Sequence, residues 1–132
     1  MRPLNLGVTL GITIRSSEGN LVKGNMIDGY LYGIYLVASP SDSLDNTIDS
    51  NDITGRYSSS ASPYYGIYAG GSVSAAAQNN AISNNKIQDV QTGIEMSSGR
   101  NNVVTGNEIQ SGYYGLRLTS ESSENTITNN LF

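Results

Sequence analysis

Asn80-Ala81-Ile82-Ser83-Asn84-Asn85-Lys86-Ile87 is followed, after a short gap, by Gly93-Ile94-Glu95-Met96. Aliphatic and polar residues alternate here with period 2, and each apolar run is too short for a helix, so both halves read as strands. The pattern recurs along the chain. Asn20-x-Val22-x-x-Asn25-x-Ile27, Asn46-x-Ile48-x-x-Asn51-x-Ile53, Asn102-x-Val104-x-x-Asn107-x-Ile109 and Asn125-x-Ile127-x-x-Asn130-x-Phe132 repeat the first half. Gly11-Ile12-Thr13-Ile14, Gly33-Ile34-Tyr35-Leu36, Gly66-Ile67-Tyr68-Ala69 and Gly115-Leu116-Arg117-Leu118 repeat the second. A unit recurring every 20–50 residues or so signals a stacked, quasi-one-dimensional architecture, in which each unit buries its apolar face against its neighbours.

Gly11 and Gly33 are 22 residues apart, as are Gly93 and Gly115; Gly33 to Gly66 takes 33 and Gly66 to Gly93 takes 27, so the middle units carry insertions. Alternation turns every aliphatic of the motif inward. Stacking then predicts three inward columns: Ile12, Ile34, Ile67, Ile94 and Leu116; Val22, Ile48, Ile82, Val104 and Ile127; Ile27, Ile53, Ile87, Ile109 and Phe132. The architecture implied is all-β, a parallel β-helix of about five rungs with three short strands each, rungs about 4.8 Å apart. Ten of the fifteen asparagines occupy the two conserved-spacing positions. Asparagine tolerates positive φ, and its amide can bond to the asparagine one rung away, so an asparagine ladder at the corners is expected. Residues 1–10 fall out of register and read as a lead-in strand or partial cap before the repeats of 11–132.

Composition narrows the chemistry. The chain has 132 residues, 37% of them hydrophobic, with a formal charge of -4 and only seven Lys and Arg. Nucleic-acid binding lacks its basic footprint. No apolar run approaches a membrane span, and no signal-peptide pattern opens the chain. Cysteine and histidine are both absent, which removes disulfides, thiolate sites and the commonest general base and metal ligand. No metal site and no cofactor motif is expected.

The N-x-I-x-x-N-x-I spacing with its glycine strands resembles the right-handed parallel β-helix repeat family, which includes NosD-like proteins and the pectin-lyase-like superfamily. The resemblance covers Gly11 to Phe132. It implies a right-handed solenoid and an extracellular, cell-surface or virion-surface location. Activity does not follow, because similar proteins include polysaccharide lyases, hydrolases, epimerases, phage tailspikes and modules that only bind or scaffold. Five rungs are few for an enzyme's groove, and the last motif ends without an amphipathic cap. A segment of a longer solenoid, or an end that docks on a partner, is therefore expected.

The outward residues carry whatever chemistry there is. All nine tyrosines fall near one corner, before or within the glycine strand. The outward column there reads Thr13, Tyr35, Tyr68, Glu95, Arg117, with Tyr32 and Tyr65 just ahead of it. Aromatic rings stack on apolar sugar faces, while Glu95, Arg117 and the phenols can bond hydroxyl or carboxylate groups. A polysaccharide or glycan is the partner expected at this edge; a subunit contact, or plain packing with Glu95 paired to Arg117, are the alternatives. Residues 54–65 add Arg56 and Tyr57 in a longer loop on the same edge. The insertions 38–45 and 70–79 are Ser- and Ala-rich and read as solvated bulges. For catalysis the weak candidates are Asp49 and Asp52, flanked by Lys23 and Lys86 on neighbouring rungs. Outward carboxylates could serve hydrolysis or elimination, but alternating charges one rung apart are also ordinary cross-strand pairs. The expected function is a non-catalytic carbohydrate-binding or scaffolding module. A carboxylate-dependent lyase, hydrolase or epimerase and an oligomerisation stalk remain as alternatives.

Overall fold

A computed structural model describes residues 9–56, 64–72 and 74–132. The described chain is all-β. Its strands are, in chain order, β1 (Leu10–Arg15), β2 (Leu21–Lys23), β3 (Met26–Asp28), β4 (Tyr32–Val37), β5 (Ser43–Leu44), β6 (Thr47–Asp49) and β7 (Asp52–Thr54). There follow β8 (Tyr65–Gly70), β9 (Ala77–Gln78), β10 (Ala81–Ser83), β11 (Lys86–Ser97), β12 (Val103–Thr105), β13 (Glu108–Thr119) and β14 (Thr126–Thr128). Every pair of named strands is parallel, and each sheet is assembled from corresponding pieces of successive repeats. One sheet runs β1-β4-β8-β11-β7-β3 with β13 beside β11, and a second runs β14-β12-β10-β6-β2.

The register is the one the alternation demands. Ile12, Ile34, Ile67, Ile94 and Leu116 are successive partners, and so are Val22, Ile48, Ile82, Val104 and Ile127. Ile27, Ile53, Ile87 and Ile109 form the third column. Phe132 follows Leu131, which bridges to Glu108, and its ring packs on Gly115. The middle of each column is the dry part: Ile34, Ile48, Ile67, Ile82 and Ile94 are wholly buried, whereas Ile127 is 36% exposed. The glycine column makes room for the third of these. A Cβ at Gly66 would stand 2.4 Å from Ile87 Cγ2 and 2.6 Å from the Gly93 carbonyl oxygen, closer than any side chain is accommodated.

Hydrogen bonds link the asparagines along the stack. Nδ2 and the backbone N–H of Asn46 both donate to Asn80 Oδ1, those of Asn80 to Asn102 Oδ1, and those of Asn102 to Asn125 Oδ1. Asn25, Asn51, Asn85, Asn107 and Asn130 form the same chain of contacts at the next corner. Each central carboxamide is buried and fully bonded, and no buried side-chain nitrogen or oxygen among the described residues lacks a partner. The expectation that these asparagines themselves take positive φ is corrected. Positive φ falls on the residue just before each one: Gly19, Asp45, Asn79, Asn101 and Glu124 ahead of one column, Gly24, Ser50, Asn84, Gly106 and Asn129 ahead of the other. The bend is complete before the asparagine, so its own N–H and amide both point along the stack.

Two further expectations change. The insertions 38–45 and 70–79 are not solvated bulges. They supply β5 and β9, which pair in parallel, and Ala38, Ser43, Ala75, Ala76 and Ala77 are buried. Bridges from Glu18 to Leu44, Gln78 to Arg100 and Arg100 to Ser123 extend this pair into an extra stack. Small side chains allow the backbone to fold onto the core, and Asp42 secures it by accepting from Ala76 N–H (2.7 Å) and Gln78 Nε2 (3.0 Å). Also, the strands are not uniformly short. β11 and β13 run 12 residues each, joining the third strand of one repeat to the glycine strand of the next. Their register slips between Gln88 and Val90 and again between Val90 and Thr92, beside Asp89 at φ 54°. The expected lead-in segment lies almost wholly outside the described residues, with Leu10 already in β1.

Candidate functional site

Parallel register brings the outward tyrosines of β4 and β8 together. Tyr32 is the partner of Tyr65, and Tyr35 of Tyr68. Their rings form one cluster. Tyr32 stacks on Tyr65 at 4.9 Å between centroids and 8° between planes, and Tyr35 stacks on Tyr68 at 5.2 Å and 22°. Edge-to-face contacts tie the two stacks: Tyr32 meets Tyr35 at 4.9 Å, and Tyr65 meets Tyr68 at 6.0 Å. Such geometries add to the gain from burial and hold the rings in fixed orientations. Gly70 is part of this design, because a Cβ there would lie 2.3 Å from the Tyr68 ring. All four tyrosines are half-buried. Burial, with the neighbouring phenols and Glu95 adding to it, pushes the Tyr32 phenol up to about 12. Burial also raises Tyr65 and Tyr68 above the ordinary phenol value, so at neutral pH these groups are neutral donors and acceptors.

Beyond the rings the strip changes character. Thr92 is the partner of Tyr65, and Glu95 of Tyr68; one level further come Tyr114 and Arg117. Glu95 is only 6% exposed. Arg117 Nε donates to Glu95 Oε2 at 3.0 Å, Arg117 Nη2 donates to the same oxygen, and the Arg117 guanidinium carbon lies 4.9 Å from the Tyr114 ring centroid. The Glu95 carboxylate holds the Arg117 pKa above its usual value. Glu95 and Arg117 therefore bond to each other across the stack, and Arg117 caps the aromatic strip by a cation–π contact.

On the other side of the rings is a groove of about 350 Å³ lined by Leu10, Thr13, Arg15, Leu31, Tyr32, Tyr35 and Val37. Leu10 is the strand partner of Tyr32, Thr13 of Tyr35 and Arg15 of Val37. The repeat pattern does not single out Arg15. Its only signal is that it stands two residues beyond Thr13, on the same outward face of β1.

The other candidates lie elsewhere. Arg56 rests over Gly29, with its guanidinium 3.9 Å from Asp28, and both side chains are well exposed. Tyr57 is outside the described residues. Asp49 and Asp52 stand on different sheets, on either side of the corner formed by Ser50 and Asn51. Asp49 Oδ1 accepts from Ser83 Oγ and Asn84 Nδ2, each at 2.9 Å, and its Oδ2 pairs with Lys23 Nζ at 2.9 Å. These donors, Asn84 first, hold the Asp49 carboxyl well below the usual range. Asp52 is exposed between Met26 and Lys86 in the register. The two carboxylates thus have separate surroundings, and that of Asp49 is fully engaged.

The profile of one family, described as periplasmic copper-binding protein (NosD), matches residues 5–132. No curated protein and no solved structure matches the chain. The residues present do not suit copper. Histidine and cysteine are absent from the sequence, and no group of three metal-ligating side chains occurs among the described residues. Met96 is sealed in the core, and Met26 is 86% exposed on another strand. No helix of the described residues is long and apolar enough to cross a membrane. With nearly its whole length matched, and with parallel strands stacked in the register its repeats require, the chain belongs to the NosD family of parallel β-helix proteins.

Proposed function

We propose that this β-helix of about five rungs is a non-catalytic surface module that binds or scaffolds against polysaccharide at the Tyr32–Tyr35–Tyr65–Tyr68 strip. The observation that carries the reading is the four-ring cluster itself, held at fixed orientations on the outer face of a parallel sheet. Rings and phenols locked by stacking lose little freedom on binding, which is what a repeating, hydroxyl-rich ligand requires. Family membership supports a periplasmic or surface setting, where such polymers occur. Catalysis by Asp49 and Asp52 is the weaker reading, because Asp49 spends both oxygens on Lys23, Ser83 and Asn84. Exposed Leu118, Ile127, Leu131 and Phe132 favour, as a second reading, a role in docking other protein surface.

Affinity electrophoresis through gels carrying different polysaccharides tests the first reading. Wild type should be retarded by at least one polymer, and a Tyr35→Ala/Tyr68→Ala variant with an unchanged circular dichroism spectrum should not. Equal mobility of both proteins in every gel would refute carbohydrate binding at the strip and transfer the weight to protein docking.

A further inference from the structure

The stacked rings cover each other, so few ring faces are available to a ligand. Tyr35 has Tyr68 against one face. Its strand partner on the other side is Thr13, which carries no ring, and the space left open there is the groove shared by Thr13, Tyr35 and Arg15. Tyr32 is placed likewise, with Tyr65 on one face and Leu10 as its other partner. The groove thus sits where the aromatic column stops. Its volume of about 350 Å³ is at the small end for ligand sites, which span about 300–1,000 Å³, and suits a single sugar unit with its neighbours emerging at the open sides.

Its charge is unlike that of the chain. The protein carries a net charge of -4, yet among the described residues the only ionisable cation or carboxylate lining the groove is Arg15. Arg15 is exposed, and among the described residues no carboxylate pairs with it, whereas Arg117, Arg100 and Arg56 each have an acidic neighbour. An unpaired guanidinium beside an aromatic face is matched by a ring with one apolar face and a carboxylate on its rim. The guanidinium takes both carboxylate oxygens in a planar fork, the sugar C–H face lies on Tyr35, and the Thr13 hydroxyl and Tyr32 phenol bond sugar hydroxyls. We infer that the Thr13–Arg15–Tyr35 groove is a subsite for a carboxylate-bearing sugar unit, such as a uronate residue of an acidic polysaccharide. The inference rests on the carbohydrate reading above and adds the subsite and the ligand's charge to it.

The test uses the whole chain and two forms of one polymer, polygalacturonate and the same material with its carboxyl groups reduced. At moderate ionic strength, which suppresses diffuse attraction, wild type should bind the acidic form about tenfold more tightly than the reduced form. Arg15→Gln should abolish that difference while still binding the reduced polymer. Thr13→Tyr, which extends the ring column over Tyr35, should weaken both. Lys86→Gln, the same charge change on a different strand, should behave as wild type. If Arg15→Gln and Thr13→Tyr bind like wild type while Tyr35→Ala/Tyr68→Ala does not, the subsite is wrong and the tyrosine strip stands. If wild type binds neither polymer, alginate and hyaluronate included as further acidic forms, the inference fails. Binding to neutral polymers alone would then leave the strip standing without its acidic subsite.

Discussion

Replacing Asn85 by alanine tests the asparagine columns most directly. Its side chain is 1% exposed and makes four hydrogen bonds. Nδ2 donates to the Ile48 carbonyl at 3.0 Å and to Asn107 Oδ1 at 2.9 Å, and Oδ1 accepts from the backbone N–H of Asn51 at 3.0 Å and from Asn51 Nδ2 at 2.9 Å. At roughly 1 kcal/mol net for each bond, the loss is about 4 kcal/mol, before any penalty for the Asn51 N–H left buried without an acceptor. Against a typical domain stability of about 5–15 kcal/mol, that is a large fraction. Asn20 offers the internal comparison. It is exposed and donates to Ser17, Glu18 and Asn46, but water can replace those partners, so Asn20→Ala should cost less than about 1 kcal/mol. Urea unfolding followed by both circular dichroism and tyrosine fluorescence would measure the difference, and two probes matter because stacked repeats can lose rungs separately. Similar shifts in midpoint for the two variants would refute the claim that the buried amides hold the stack together.

Other outcomes can be stated briefly. Gly66→Ala should destabilise by about 1–3 kcal/mol, since its Cβ would meet Ile87 at 2.4 Å and the Gly93 carbonyl oxygen at 2.6 Å; a melting temperature equal to wild type would contradict that contact. Alkaline titration followed by phenolate absorbance should show one tyrosine ionising near pH 12, lost in Tyr32→Phe. Because the folded pKa of Tyr32 lies above the ordinary phenol value of 10.0, its contribution to stability is complete below pH 10 and disappears as pH rises towards 12. Stability that stays flat across that interval would contradict the buried placement of Tyr32.

Much of the fold is legible in the sequence because one rule, alternation with a fixed inward face, governs it. Ile82 and Ile94 are inward in any register that keeps the repeat, and a slip by one residue would expose the whole column. The same rule aligns Tyr35 with Tyr68 and Glu95 with Arg117, so the outward strip is legible in the sequence alone. What the rule omits is orientation. That Tyr35 lies flat against Tyr68, closing one face and leaving the other to the Arg15 groove, depends on Gly70 and on Thr13 being small. The extra stack of β5 and β9 is equally hard to read, because two-residue strands of Ser, Leu, Ala and Gln carry no period. The shift of positive φ to the residue before each asparagine had a visible trace in Gly19, Gly24 and Gly106. At other repeats, however, the same position holds Asp, Ser, Asn or Glu, which blurs it.

The asparagine columns also have a sense of direction. Within each column every carboxamide but the last donates through Nδ2 to the neighbour nearer the C-terminus, as from Asn51 to Asn85, and every one but the first accepts on Oδ1 from the neighbour nearer the N-terminus. A cut between any two levels therefore leaves unlike faces: proton donors on the piece before it and bare amide oxygens on the piece after it. Two donor faces cannot bond to each other, nor can two acceptor faces. The columns thus act as a polarity key, permitting pieces of the solenoid to rejoin head to tail and refusing the inverted arrangement.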